Sequence, residues 1–174
     1  IFAAGPSLMR EYFRDPEQTA ACFADGWLDT GDLGYMTAGE FSGQIVITGR
    51  AKDLIIVNGR NIWPQDLEWS VETKVEHIRE GGVAAFSVTP DDSGRQLEEE
   101  IVIVAECRLR DNDEREQLRT EIRQAVREAH GVDVRVSFAR NGELPSTSSG
   151  KLSRAKARLM FRDGLFDMGG ITAG

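Results

Sequence analysis

Apolar residues along this chain fall into two kinds of spacing. Short runs dense in Ile and Val, at 44–49, 54–57, 83–88, 101–107 and 132–138, are bounded by glycine, proline or charged residues, and each predicts a strand. Between them, apolar positions recur at helical spacing. Leu67, Val71, Val75 and Ile78 form one face of a helix opened by Pro64, with Asp66 and Glu68 in its first turn and Gly81-Gly82 at its end. Leu118, Ile122, Ala125, Val126 and Ala129 line a second helix, with Asp113 and Glu116 in capping-box positions and Gly131 as its stop. Arg119, Arg123 and Arg127 repeat on the other side, the spacing of a solvated face paired with Glu116 and Glu121. A last helix is predicted over about 153–162. Before residue 44 the pattern is weaker. Residues 7–24 predict two short helical pieces broken at Asp15-Pro16, and residues 25–34 predict turns around short extended pieces. The fold class is therefore α+β: a short mixed sheet flanked by helices, preceded by a mostly β segment over 1–50 that closes no core of its own.

Composition narrows the function. A formal net charge of -8 on 174 residues excludes general nucleic-acid binding, which needs a basic surface to neutralise phosphates. Cys22 and Cys107 stand far apart and form neither a zinc motif nor a disulfide framework, as suits a reducing cytoplasm. No apolar run approaches the roughly 20 residues that span a bilayer. A soluble, cytoplasmic protein is expected. The chain opens on Ile1 rather than Met, so a piece of a longer protein is expected.

Candidate chemistry centres on Leu144-Pro145-Ser146-Thr147-Ser148-Ser149-Gly150-Lys151-Leu152-Ser153-Arg154. Small hydroxylated residues between Pro and Gly bury no apolar surface, which predicts a mobile exposed loop presenting Lys151 just before a helix; the same composition also fits a solvated linker. A phosphate-cradling P-loop does not fit, because Gly142 lies too far from Gly150 and Leu152 stands where the magnesium-binding hydroxyl is required. Asp32 sits next to a glycine that lets the backbone come close to whatever its carboxylate holds, and it also reads as an ordinary turn residue. Arg50-Ala51-Lys52-Asp53 separates two apolar strands as a turn or a hinge, and Asn58-Gly59-Arg60-Asn61 predicts a tight turn.

Taken together, Thr30-Gly31-Asp32, Gly49-Arg50-Ala51-Lys52-Asp53, the turn at Asn58-Gly59-Arg60-Asn61 and Pro145-x4-Gly150-Lys151-x2-Arg154 resemble, in order and spacing, the adenylate-forming superfamily of acyl and aryl ligases. The resemblance runs from about Gly26 to Phe166. It implies the end of a large N-terminal domain (1–50), a hinge (51–53), a small mobile C-terminal domain (54–168) and a tail (169–174). It further implies that Asp32 accepts the ribose hydroxyls of ATP, that Arg50 assists at ribose and phosphates, that Lys52 is the hinge residue, and that Lys151 is the lysine of the adenylation step. ATP and Mg2+ follow as the expected nucleotide and metal, and a fatty or other carboxylic acid as substrate. Residues Asn58, Gly59 and Arg60, leading into Ile62-Trp63-Pro64, look closest to the fatty acyl-AMP ligases, which load the phosphopantetheine thiol of an acyl carrier protein; Asn58 and Arg60 depart from the pattern of many ligases that use CoA instead. Arg119, Arg123 and Arg127, with Arg154 and Arg158, offer a basic face to an acidic carrier protein. The alternatives are an acyl-CoA ligase with CoA as acceptor and a non-catalytic docking module, the latter having no need of the Gly150-Lys151 pair.

Overall fold

A computed structural model describes residues 1–89 and 99–166. The stretch Thr89-Pro90-Asp91-Asp92-Ser93-Gly94 reads as a turn-rich surface loop, and most of it, like the tail expected at 169–174, lies outside the described residues. The chain divides into two compact units, Ile1–Leu54 and a second that begins at Ile55.

The first unit holds strands β1 (Phe2–Ala3), β2 (Phe23–Ala24) and β3 (Trp27–Asp29) in the order β1-β3-β2, and an antiparallel ribbon of β4 (Asp32–Met36) and β5 (Ile45–Arg50). Its single α-helix is α1 (Pro16–Cys22), capped by the Asp15 carboxylate, which accepts the Gln18 N–H at 2.9 Å. The helical piece expected before Asp15 is absent. Residues 7–14 form bends and turns, with Arg14 at a positive φ of 55°, since so short a segment with no buried side chain cannot repay helix nucleation. No residue of this unit is buried, and Phe2, Phe13, Trp27, Tyr35, Met36, Ile45 and Ile47 are all exposed.

The second unit has the predicted mixed sheet. Its strands β8 (Val83–Val88), β9 (Glu100–Glu106) and β10 (Arg135–Ala139) lie in the order β10-β9-β8, with β8 antiparallel and β10 parallel to β9. A hairpin of β6 (Ile55–Val57) and β7 (Arg60–Ile62) precedes helix α2 (Pro64–Lys74), while α3 (Asn112–His130) links β9 to β10 and α4 (Arg154–Arg162) follows the lysine loop. Side chains of β9 alternate between two cores: Ile101, Ile103 and Ala105 pack with α2 and α3, and Val102 and Val104 pack with Ala157 and Phe161 of α4. Burial on both faces explains why β9 reads as a continuous apolar run.

Two helix boundaries differ from the sequence reading. Helix α2 stops at Lys74, and the backbone turns extended at Val75. Val75 and Ile78 are nevertheless buried, because their spacing reported burial while the chain folded back through a bond from the Gly81 N–H to the Glu72 carboxylate at 2.9 Å. Helix α3 is capped by Asp111, not Asp113: the Asp111 carboxylate accepts the Asp113 and Glu114 N–H groups at 2.9 and 3.1 Å, and Ala129 is exposed. Gly131 ends α3 at φ 66°, the left-handed conformation that a side chain disfavours.

Candidate functional site

In the first unit the ribbon places Asp32 directly opposite Arg50 in register, and Arg50 Nε meets Asp32 Oδ1 at 3.0 Å. Local sequence sets this up. Thr30 Oγ1 accepts the Asp32 N–H at 3.1 Å, Asp29 Oδ1 accepts the Gly31 N–H at 2.9 Å, and Gly31, at φ 69°, turns the chain into β4. The Gly31 carbonyl takes the Ala51 N–H at 2.9 Å, which ties the exposed 3₁₀ turn Ala51–Asp53, bearing Lys52, to the same point. Leu33 pairs with Gly49 but Gly34 pairs with Ile47, so Thr48 is the extra residue of a bulge. Gly34 is required there, since a Cβ on it would lie 2.3 Å from the Val46 carbonyl oxygen. The Asp32 carboxylate has about four lone-pair sites, and Arg50 takes one, leaving capacity for two hydroxyl donors. The Arg50 side chain is about half exposed, so the pair stabilises the ribbon by no more than about 1 kcal/mol.

In the second unit Asn58 (φ 51°) and Gly59 (φ 72°) make a two-residue hairpin turn between Val57 and Arg60. Asn58 lines an open cavity of about 630 Å³ together with Glu100, Ile101, Asp133 and Arg135, at the starting ends of β9 and β10. The Arg60 guanidinium lies against Gly131, where an added Cβ would stand 3.4 Å from Nη1. Arg135 Nη1 and Glu100 Oε2 are 3.5 Å apart at the same end.

Lys151 lies at the other end of the sheet. Its loop is exposed as expected, but it is a closed hairpin rather than a featureless linker. The Thr147 N–H donates to the Lys151 carbonyl at 2.7 Å, the Gly150 N–H to the Thr147 carbonyl at 2.9 Å, the Lys151 N–H to Thr147 Oγ1 at 3.2 Å, and the Ser153 N–H to the Pro145 carbonyl at 2.8 Å. The seven residues of β9 rise roughly 20 Å, which separates the Asn58 turn from the Lys151 hairpin.

Two buried carboxylates, which the sequence reading missed, hold the hairpin's flanks. Glu106, 4% exposed, accepts the Leu144 N–H on Oε1 at 3.1 Å and Arg79 Nη2 on Oε2 at 2.6 Å. Burial pushes its carboxyl up, but the bonds from the Gly142 N–H, Arg79 and the Leu144 N–H outweigh that and leave it below the usual carboxylate range. Glu68, 7% exposed, accepts Arg154 Nε on Oε1 at 2.7 Å and Nη2 on Oε2 at 2.5 Å. A charged residue inside an otherwise apolar strand was the available signal for Glu106. None linked Glu68 to Arg154.

The proposed arginine face is corrected. Arg119 is 3% exposed, donates to the Val136 carbonyl and sits over the Phe138 ring at 4.7 Å. Arg154 is committed to Glu68 and Arg127 pairs with Asp133, so of the five arginines only Arg123 and Arg158 remain as exposed side chains without an ion pair among the described residues. No three His, Cys, Asp or Glu side chains among the described residues converge to hold a metal, and no helix among them is long and apolar enough to cross a membrane.

No protein-family model matches this chain. Curated relatives do. A putative acyl-CoA synthetase of Caulobacter vibrioides is 48% identical over 95% of this chain and 28% of its own length. The long-chain-fatty-acid–AMP ligase FadD32 of Mycolicibacterium smegmatis is 35% identical over 98% of this chain and 32% of its own. Among solved structures, one from studies of fatty acyl-adenylate ligases of E. coli and L. pneumophila superposes with a TM-score of 0.75 at 37% identity, covering 94% of this chain and 27% of that one. The chain thus spans roughly a third or less of the length of these relatives.

Proposed function

We propose, for a chain that belongs to the adenylate-forming superfamily and corresponds to the C-terminal region of its members, that the whole enzyme converts a fatty or related carboxylic acid to acyl-AMP. The acyl group then passes to the phosphopantetheine thiol of a carrier protein. The observation that carries this reading is the placement of the Lys151 hairpin and the Asn58–Arg60 turn at opposite ends of one sheet. One end serves phosphorus chemistry and the other thiol attack, and a body that turns about the segment 51–53 presents each in succession.

In the first step the carboxylate attacks the α-phosphorus of ATP, the bond to the bridging oxygen breaks, and pyrophosphate leaves. Negative charge grows on the phosphoryl oxygens, and the Lys151 ammonium stabilises it. Asp32 takes the ribose hydroxyls, with Arg50 beside it fixing the carboxylate and facing the phosphates. Mg2+ bound to the phosphates of ATP would share in stabilising that charge. Residues 1–50 belong to the large domain in this reading, which accounts for the unburied apolar side chains there. Lys52 is the pivot, and the body that follows is the mobile domain.

A second reading, with CoA as acceptor, is favoured by the 48% identical relative named as a putative acyl-CoA synthetase. The full-length enzyme supplied with ATP, a fatty acid series and either CoA or a phosphopantetheinylated carrier protein decides between them. Acyl-AMP formation with carrier loading is expected. Rapid acyl-CoA formation moves the assignment to the CoA ligases, and absence of pyrophosphate exchange with every acid removes the adenylation reading.

A further inference from the structure

The Lys151 hairpin presents a problem of position. Ser146, Thr147, Ser148, Ser149, Gly150 and Lys151 are all exposed, and at this end of the sheet the apolar anchoring of the hairpin is limited to buried Pro145 and half-buried Leu144 and Leu152. Apolar burial of that size cannot hold an ammonium to a fraction of an ångström, yet positional error of about 1 Å in a reacting group costs on the order of 100-fold in rate. Polar anchors of fixed geometry are needed, and the structure has one at each flank.

We propose that Glu68 and Glu106 are positioning residues for Lys151, two enclosed carboxylates that grip its hairpin from both sides. The inference rests on the reading of Lys151 as the lysine of adenylation. On the leading side, Glu106 ends β9, at the rigid centre of the sheet. Its Oε1 accepts the Leu144 N–H at 3.1 Å, and its Oε2 is held in turn by Arg79 Nε at 3.0 Å and Nη2 at 2.6 Å. On the trailing side, Glu68 stands on α2 and accepts the Ala85 N–H of β8 at 2.9 Å with the same Oε1 that takes Arg154 Nε, so one carboxylate fastens α2, β8 and the first residue of α4 together. The two-point bond to a planar guanidinium fixes orientation as well as distance. Burying carboxylates is expensive unless they are fully bonded, and a packed apolar pair fills the same space at no such cost. Two of them flanking one short hairpin match a demand for precise placement better than a demand for stability.

The test uses the full-length enzyme and separates the two half-reactions. Glu106→Leu removes the acceptor for the Leu144 N–H, Glu106→Gln retains one, and Arg154→Lys keeps the charge but loses the fork. Glu106→Leu and Arg154→Lys are expected to lower kcat for acyl-AMP formation about 10- to 100-fold, with KM for the acid unchanged. Transfer from chemically supplied acyl-AMP stays within about 3-fold, and Glu106→Gln recovers most of the rate. Amide hydrogen exchange at 144–153 rises in step with the loss. A purely structural role predicts instead that both half-reactions fall together with the melting temperature; that result, or wild-type adenylation by folded Glu106→Leu, overturns the proposal. If Glu106→Leu does not fold, Arg154→Lys decides by the same criteria. Failure of the underlying reading looks different: Lys151→Ala then adenylates normally, while the exchange experiment still reports whether the carboxylates hold the hairpin.

Discussion

Arg119 separates two ideas about the arginine row, docking and core packing, and its replacement by methionine measures which holds. Methionine keeps an apolar stem in the buried position and deletes the guanidinium. The Val136 carbonyl then loses its donor, and β10 lies at the end of the strand order, with no further strand among the described residues to supply one. An orphaned buried carbonyl costs about 1–3 kcal/mol. Loss of the cation over the Phe138 ring, 4.7 Å from its centroid, adds about 1 kcal/mol. The bond to Glu116 adds little, because that carboxylate is 63% exposed. Relief of the guanidinium's desolvation acts in the opposite sense and takes back about 1 kcal/mol or more. The net expectation is a destabilisation of about 2 kcal/mol. With a urea slope of about 2 kcal/mol/M for a domain of this size, the midpoint falls by about 1 M. Urea titration of this chain, followed by far-UV circular dichroism, reads the shift, and Arg123→Met on the exposed side serves as a control expected within about 0.5 kcal/mol of wild type. An unchanged midpoint for Arg119→Met, with weakened binding of an acidic carrier protein, refutes the packing account.

Lys151→Ala in the full-length enzyme is expected to lower acyl-AMP formation by at least about 100-fold while sparing transfer from supplied acyl-AMP; single-turnover assays of each half-reaction check this, and equal losses contradict it. Lys52→Pro, which fixes φ in the 3₁₀ turn, is expected to alter at least one half-reaction without changing the melting temperature of the second unit, and survival of both unaltered removes the pivot. Glu72 titrates in the opposite sense to Glu106. Burial raises its carboxyl, the Gly81 N–H offsets part of that, and the charges of Glu68 and Glu80 raise it further. With a folded pKa above the unfolded one, its contribution to stability is fully present below the ordinary carboxylate pKa and is lost as pH rises through the folded value. Glu72→Gln is therefore expected to raise the urea midpoint at pH 7 and to leave it unchanged at pH 3; a destabilised variant at pH 7 contradicts the assignment. The contribution of Glu106, whose carboxyl is lowered, runs the other way, present at neutral pH and lost on acidification.

Sequence alone determined what depends on neighbours along the chain. The β-dense runs at 83–88 and 101–107, the Pro64 helix start and the Gly131 helix stop each carry their cause within a few residues, and the structure has all four. The mixed α+β sheet followed from their order. The candidate residues Asp32, Arg50, Lys52, Asn58, Gly59, Arg60 and Lys151 were legible for a related reason, since ordered motif spacing is a property of the chain itself. Tertiary structure decided what depends on which side chains meet. Helical spacing from Leu67 to Ile78 correctly marked buried positions, but α2 ends at Lys74, because periodicity records contact with the core and not the hydrogen bonds that define a helix. Arg119 shares its spacing with Arg123, and only the position of β10 beside α3 turns one inward to Val136 while the other stays in water. Glu68 and Arg154 are 86 residues apart, and nothing local to either marks the other as its partner. Burial on α2 leaves the Glu68 carboxylate short of water, and the start of α4 brings the one guanidinium that compensates it, a pairing that exists only once both helices have packed against opposite faces of the same sheet.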